Sequence, residues 1–221
     1  MDFVTLFLPN VVSLSLILFT VLVSIYIAFR IKWLKKLNDG IFNVWMISIL
    51  SLSLVWMMRA SLDSGLNIHL SGAMLFTLMF GWRLGVLGMT LTCILVSLWG
   101  NSLLANIGLA IIINAYISIS FCYLYFLIVE TFFPRNLYIY LFVTSFFGSA
   151  LIYILSGCIS ILVLLLFNIY SYTQILNEYL PYYFLLSFAE AFITCGLITL
   201  FVVYRSKWVY SFRDEKYLSN N

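Results

Sequence analysis

The chain has 221 residues, of which 64% are hydrophobic and only 9% charged, with a mean hydropathy of +1.11 and a net charge of +3. Soluble domains carry about 25% charged residues, so this composition excludes a soluble enzyme and points to an all-α, polytopic membrane helix bundle whose first partner is the lipid bilayer. The small basic excess suits residues facing an inner leaflet and predicts no nucleic-acid partner.

A helix needs about 20 apolar residues to cross the hydrocarbon core. Apolar runs predict spans at 5–29, 41–58, 70–82, 85–100, 103–132, 138–167 and 182–204, seven helices in a single integral membrane domain over 1–221. The first run is longer than a signal-peptide core of about 7–15 residues and lacks a basic leader, so it reads as a membrane helix. After the second span, a polar loop over 59–69 ends at His69, the one histidine of the chain. The next apolar stretch, Leu70 to Gly100, is interrupted by Gly81-Trp82-Arg83-Leu84-Gly85, which predicts a tight hairpin between two short helices. Gly81, Gly85 and Gly88 either build that turn or let helices approach closely. Span 138–167 is long enough to tilt, bend or extend beyond the lipid. Cys93, Cys122, Cys158 and Cys195 all lie in apolar runs without a C-x-x-C spacing, which suggests neither a disulfide framework nor a zinc site.

Basic residues set the orientation. With the N-terminus outside, Arg30, Lys32, Lys35, Lys36, Arg83, Arg135, Arg205, Lys207, Arg213 and Lys216 fall on the cytoplasmic side and only Arg59 falls outside. The bias predicts an inner (cytoplasmic) membrane protein with its C-terminus in the cytoplasm and His69 facing outward.

Polar residues in so apolar a chain are the candidates for function. A neutral imidazole is a good ligand for a transition metal, and equally a proton-linked switch or a polar residue at the interface. One histidine needs further donors. Asp63, Asn67 and Ser71 are near it in sequence, and the α-amino group of Met1 and the Asp2 side chain share its side of the membrane. Glu190 is the one carboxylate deep in a span, where an acid is costly and faces a cavity or a partner. It belongs either to a permeation path, with Asn67 and Asn114, or to a buried hydrogen-bonded group with Asn114, Thr194 or a tyrosine. Gly72, close after the histidine, lets backbone come near a ligand or a neighbouring helix. No P-loop, H-E-x-x-H or G-x-S-x-G motif is present, so no catalytic residues, ATPase centre or bound cofactor is expected.

The string His69-Leu70-Ser71-Gly72-Ala73, opening a short helix that ends in a glycine-rich turn, resembles the CbiM-like cobalt/nickel energy-coupling factor permeases. The run Ser187 to Thr194, continuing through Val203 to Val209, resembles that family's last helix, a glutamate-bearing span with a basic exit. Leu78-Met79-Phe80-Gly81-Trp82, Pro134-Arg135-Asn136, Glu178-Tyr179-Leu180-Pro181 and the tail from Asp214 to Leu218 are similar to an uncharacterised bacterial branch of ABC transporter permeases of this kind.

The resemblance implies capture of Co²⁺ or Ni²⁺ as substrate by the N-terminal amine, a histidine at position two and the histidine of the H-L-x-G segment. His69 carries over. Position two is Asp2, so the implied set becomes Met1, Asp2 and His69, a mixed nitrogen and oxygen site. The resemblance also implies a transmembrane coupling subunit and ATP-binding subunits as partners, in an ATP-driven uptake system. Transport of another small solute on the same scaffold, or a non-transport role in membrane interaction or assembly, remain the alternatives.

Overall fold

The computed structural model describes residues 9–33, 40–58, 60–61, 67–99, 106–167, 172, 175–213 and 217. Six helices organise them: α1 (Asn10–Phe29), α2 (Ile41–Met57), α3 (Ala73–Trp99), α4 (Ile107–Phe132), α5 (Ile139–Leu166) and α6 (Leu180–Arg205). A two-residue antiparallel pair, Ala60–Ser61 with Asn67–Ile68, closes the connection between α2 and α3. Five of the helical stretches are long and apolar enough to cross a membrane, α2 being the shorter sixth at 17 residues. The outward faces are apolar as lipid contact requires: Val11, Leu22, Phe192 and Val203 are all more than 60% exposed.

α3 is the axis of the bundle. Leu78, Val86 and Met89 along it are 0% exposed, and it packs against α1, α2, α4, α5 and α6. It is also broken. Gly81 has φ 74° and ψ −179°, so residues 73–80 and 82–99 form two arms that fold back on each other. The proof of the reversal is Phe76. Its carbonyl oxygen lies 3.6 Å from where a Cβ on Gly85 would stand, and its ring lies 2.7 Å from the same point on Gly88. In a continuous helix residues 76 and 88 would be about 18 Å apart. The glycines therefore do both jobs: Gly81 turns the chain, while Gly85 and Gly88 admit the returning arm.

The hairpin expected from the sequence thus forms, with its turn confined to Gly81; Trp82 to Gly85 are already helical. The first arm is only about 12 Å long, against a hydrocarbon core of about 30 Å. The expected span at 70–82 is a half-helix preceded by extended chain. Where 103–132, 138–167 and 182–204 were expected, the described residues form helices over Ile107–Phe132, Ile139–Leu166 and Leu180–Arg205. α4 and α5 each contain a wide π-helical stretch, Ile112–Ile117 and Ile139–Phe147.

A helix broken inside a bilayer exposes backbone groups that no water can satisfy, each costing several kcal/mol. The half-helix escapes this at both ends. At its C-terminal end, the N–H of Tyr210 donates to the Met79 carbonyl (3.0 Å), and both the N–H (3.1 Å) and the hydroxyl (2.9 Å) of Ser211 donate to the Leu78 carbonyl. Ser211 also shares a hydrogen bond with the Tyr140 hydroxyl, 2.7 Å away. The N-terminal end is held by Glu190, described next.

Candidate metal site

The segment His69 to Gly72 is not helical, yet His69 is only 6% exposed. Gly72 makes the sharp entry into the half-helix at φ 71°, and a Cβ there would lie 2.8 Å from the Leu52 side chain of α2. Both left-handed backbone and lack of space demand glycine. From that point Gly72 passes its carbonyl to the N–H of Phe76 (3.0 Å), the first helical bond of the arm.

Glu190 fixes the other side of the segment. Its Oε2 accepts the N–H of Ser71 at 2.9 Å and its Oε1 accepts the N–H of Gly72 at 2.7 Å. A carboxylate taking both N–H groups of a helix start satisfies orphan donors and complements the positive end of the helix dipole. The expected partners Asn114, Thr194 and tyrosine are not the ones used, because the two oxygens are turned to backbone. The Ser71 hydroxyl adds a weaker bond from the N–H of Ala73 at 3.3 Å.

His69 itself is clamped from three directions. Its ring lies against Trp56 at the end of α2, with centroids 4.2 Å apart and planes at 36°. Its carbonyl accepts the Tyr153 hydroxyl of α5 at 2.9 Å. Its Nδ1 lies 3.1 Å from the Leu70 carbonyl. The role of that nitrogen, donor or acceptor, follows the tautomer of the ring. The Ser71 carbonyl accepts the Trp56 indole N–H at 3.3 Å, so one tryptophan fixes both ring and backbone. Behind Tyr153, Tyr183 stacks at 4.4 Å and Tyr179 lies 5.1 Å from Tyr183, with the Tyr183 ring seated over Gly157.

The remaining sequence candidates separate. Met1 and Asp2 lie outside the described residues, as does the side chain of Asn67, whose backbone pairs with Ser61. Asn114 is buried on the π-helical stretch of α4, which packs against α3 and α5. Among the described residues no group of three or more His, Cys, Asp or Glu side chains could hold a metal ion. A cavity of about 410 Å³ between α2, the half-helix and α6 touches Glu190, Thr194 and Ser48 but is not lined by His69. Trp56 and Tyr153 were invisible as site residues in the sequence: their spacing from His69 follows no local motif, and only the packing of α2 and α5 onto residue 69 brings them there.

A family model described as CbiM, cobalt uptake substrate-specific transmembrane region, matches residues 6–208. No curated protein and no solved structure matches the chain.

Proposed function

The chain belongs to the CbiM family of cobalt uptake transmembrane components, a transporter family that is not itself catalytic, and we propose that it captures Co²⁺ as substrate through the imidazole of His69. Met1 and Asp2 complete the ligand set, the α-amine as a nitrogen donor and the Asp2 carboxylate as an oxygen donor. Ni²⁺ is the second ion that such a mixed site accepts, since imidazole and amine suit both. The seven-span reading enters here: the half-helix with its extended lead-in makes one discontinuous crossing, the N-terminus and His69 face outward, and the C-terminus is cytoplasmic in the inner membrane. A coupling subunit and ATP-binding subunits supply the energy for uptake.

The observation that carries the proposal is the tethering of the His69–Gly72 segment. A helix N-terminus favours anions and repels cations. Glu190 occupies that N-terminus, cancels its positive end, and so makes the neighbourhood of residue 69 tolerable for a divalent ion. Trp56 and Tyr153 hold the imidazole and its backbone in one position, which limits the ordering cost on binding. Glu190, Asn67 and Asn114 are the polar candidates for the route inward, and release of Glu190 from Ser71 and Gly72 is the step that would free the half-helix to move.

Isothermal titration of the purified full chain with CoCl₂ tests this. The expected result is saturable binding that His69→Ala abolishes, with the variant still folded by its thermal transition. Unchanged Co²⁺ affinity in folded His69→Ala removes the histidine from the site.

A further inference from the structure

A second cavity lies at the opposite end of the half-helix. The turn at Gly81 opens onto a cavity of about 730 Å³ bounded by Arg30, Lys32, Arg83, Trp82, Tyr123 and Tyr210. Arg30 caps the end of α1, and its guanidinium donates to the Tyr26 hydroxyl at 2.9 Å. Arg83 reaches across from α3, where its Nη1 donates to the Arg30 carbonyl at 2.9 Å. That bond ties the Arg83 side chain to the backbone at the end of α1, and Arg30, Lys32 and Arg83 all line the one cavity. Among the described side chains the carboxylates are Glu130 and Glu190. Glu130 sits in a separate cleft with Arg135, Glu190 is at the far end of the half-helix, and neither lines this cavity.

Three cations gathered around one cavity repel one another unless an anion lies among them. The rest of the lining says which anion. Trp82, Tyr123 and Tyr210 are the amphipathic rings that occupy the level of lipid headgroups. The Trp82 indole N–H is anchored to the Ser120 hydroxyl at 3.0 Å. Tyr210 is seated by its backbone on Met79, with its ring 2.9 Å from where a Gly81 Cβ would be. Two of the aromatic walls are thus anchored, and the same cavity is lined by Arg30, Lys32 and Arg83. Basic pockets between membrane helices suit phosphate headgroups, and guanidinium groups match phosphate oxygens geometrically.

We propose that this cavity binds the phosphodiester headgroup of an anionic membrane lipid, with Arg30, Lys32 and Arg83 as its phosphate ligands and the aromatic residues around its glycerol region. Occupancy would tie the end of α1 to the Gly81 turn, so the lipid would brace the broken helix at the end remote from Glu190. The site does not depend on what is captured at His69.

Native mass spectrometry of the full chain in detergent, titrated with phosphatidylglycerol, tests it. Saturable adducts are expected, with phosphatidylcholine binding much more weakly. Each of Lys32→Gln and Arg83→Gln should weaken phosphatidylglycerol about fivefold, and the pair together about 25-fold. Lys32 is exposed, so Lys32→Gln keeps the test valid if Arg83→Gln disturbs the contact with Arg30. Equal binding of the two lipids, or unchanged affinity in folded Lys32→Gln and Arg83→Gln, overturns the proposal. Displacement of the lipid by equimolar sn-glycerol 3-phosphate overturns the lipid as the source, because a free phosphate ester would then suffice.

Discussion

Glu190 and Gly72 meet across 118 positions of sequence: the carboxylate of α6 accepts the Gly72 N–H at 2.7 Å while its other oxygen takes Ser71. That pair of bonds caps the start of the half-helix and fixes the approach of His69. Charge-assisted bonds of this kind contribute about 1.5–3 kcal/mol each, and a buried donor left alone costs about 1–3 kcal/mol. Glu190→Ala should therefore destabilise the protein by several kcal/mol, read as a large drop in the detergent-solubilised thermal transition. Glu190→Gln keeps one acceptor oxygen and should lose about half as much. Equal stability of wild type and Glu190→Ala would mean that the cap contributes nothing.

Gly81→Ala is expected to be severe for two separable reasons. At φ 74° and ψ −179° the backbone lies in a region open essentially to glycine alone, costing about 1–3 kcal/mol for a residue with a Cβ, and that Cβ would lie 2.9 Å from the Tyr210 ring. Gly81→Ala combined with Tyr210→Ala should recover only the steric part. Thermal transitions of the single and double variants, set in a double-mutant cycle, measure the split.

Trp56 orders His69 without supplying a ligand atom. Trp56→Leu should lower Co²⁺ affinity, by about tenfold if the stack and the bond to the Ser71 carbonyl together contribute about 1.4 kcal/mol, yet leave binding saturable. His69→Ala should remove binding altogether. Titration of both variants separates a positioning residue from a ligand; a Trp56→Leu affinity equal to wild type would dismiss the positioning role.

Asp2→His should raise affinity for Co²⁺ and Ni²⁺, because an imidazole replaces a carboxylate in a set that otherwise offers nitrogen. Competition titration with both ions reads this directly. A fall in affinity would show that the Asp2 oxygen is the better donor here, or that position two lies away from the ion.

The orientation is open to chemical labelling. A single cysteine at Lys207, in a chain whose four native cysteines are replaced, should resist a membrane-impermeant maleimide in intact cells and react in inverted vesicles. The reverse pattern would turn the molecule over and place His69 inside.

The sequence by itself determined that this chain is a membrane helix bundle, because hydropathy is summed over local runs and needs no knowledge of contacts. It also determined the break near Gly81, since two glycines and an arginine cannot continue an apolar span unnoticed, and it singled out His69 and Glu190 as polar residues too costly to be incidental. Tertiary structure alone decided what those residues touch. Glu190 finds Ser71 and Gly72, not Asn114 or a tyrosine, because α6 packs against the start of a half-helix whose first N–H groups have no partner within the helix. Trp56 and Tyr153 join His69 because α2 and α5 converge on one extended segment. Tyr210 and Ser211 close the far end because the chain beyond α6 folds back onto Leu78 and Met79. Composition declares the solvent a helix must face, whereas the partners of a broken helix are set by which distant backbone groups the bilayer leaves unsatisfied.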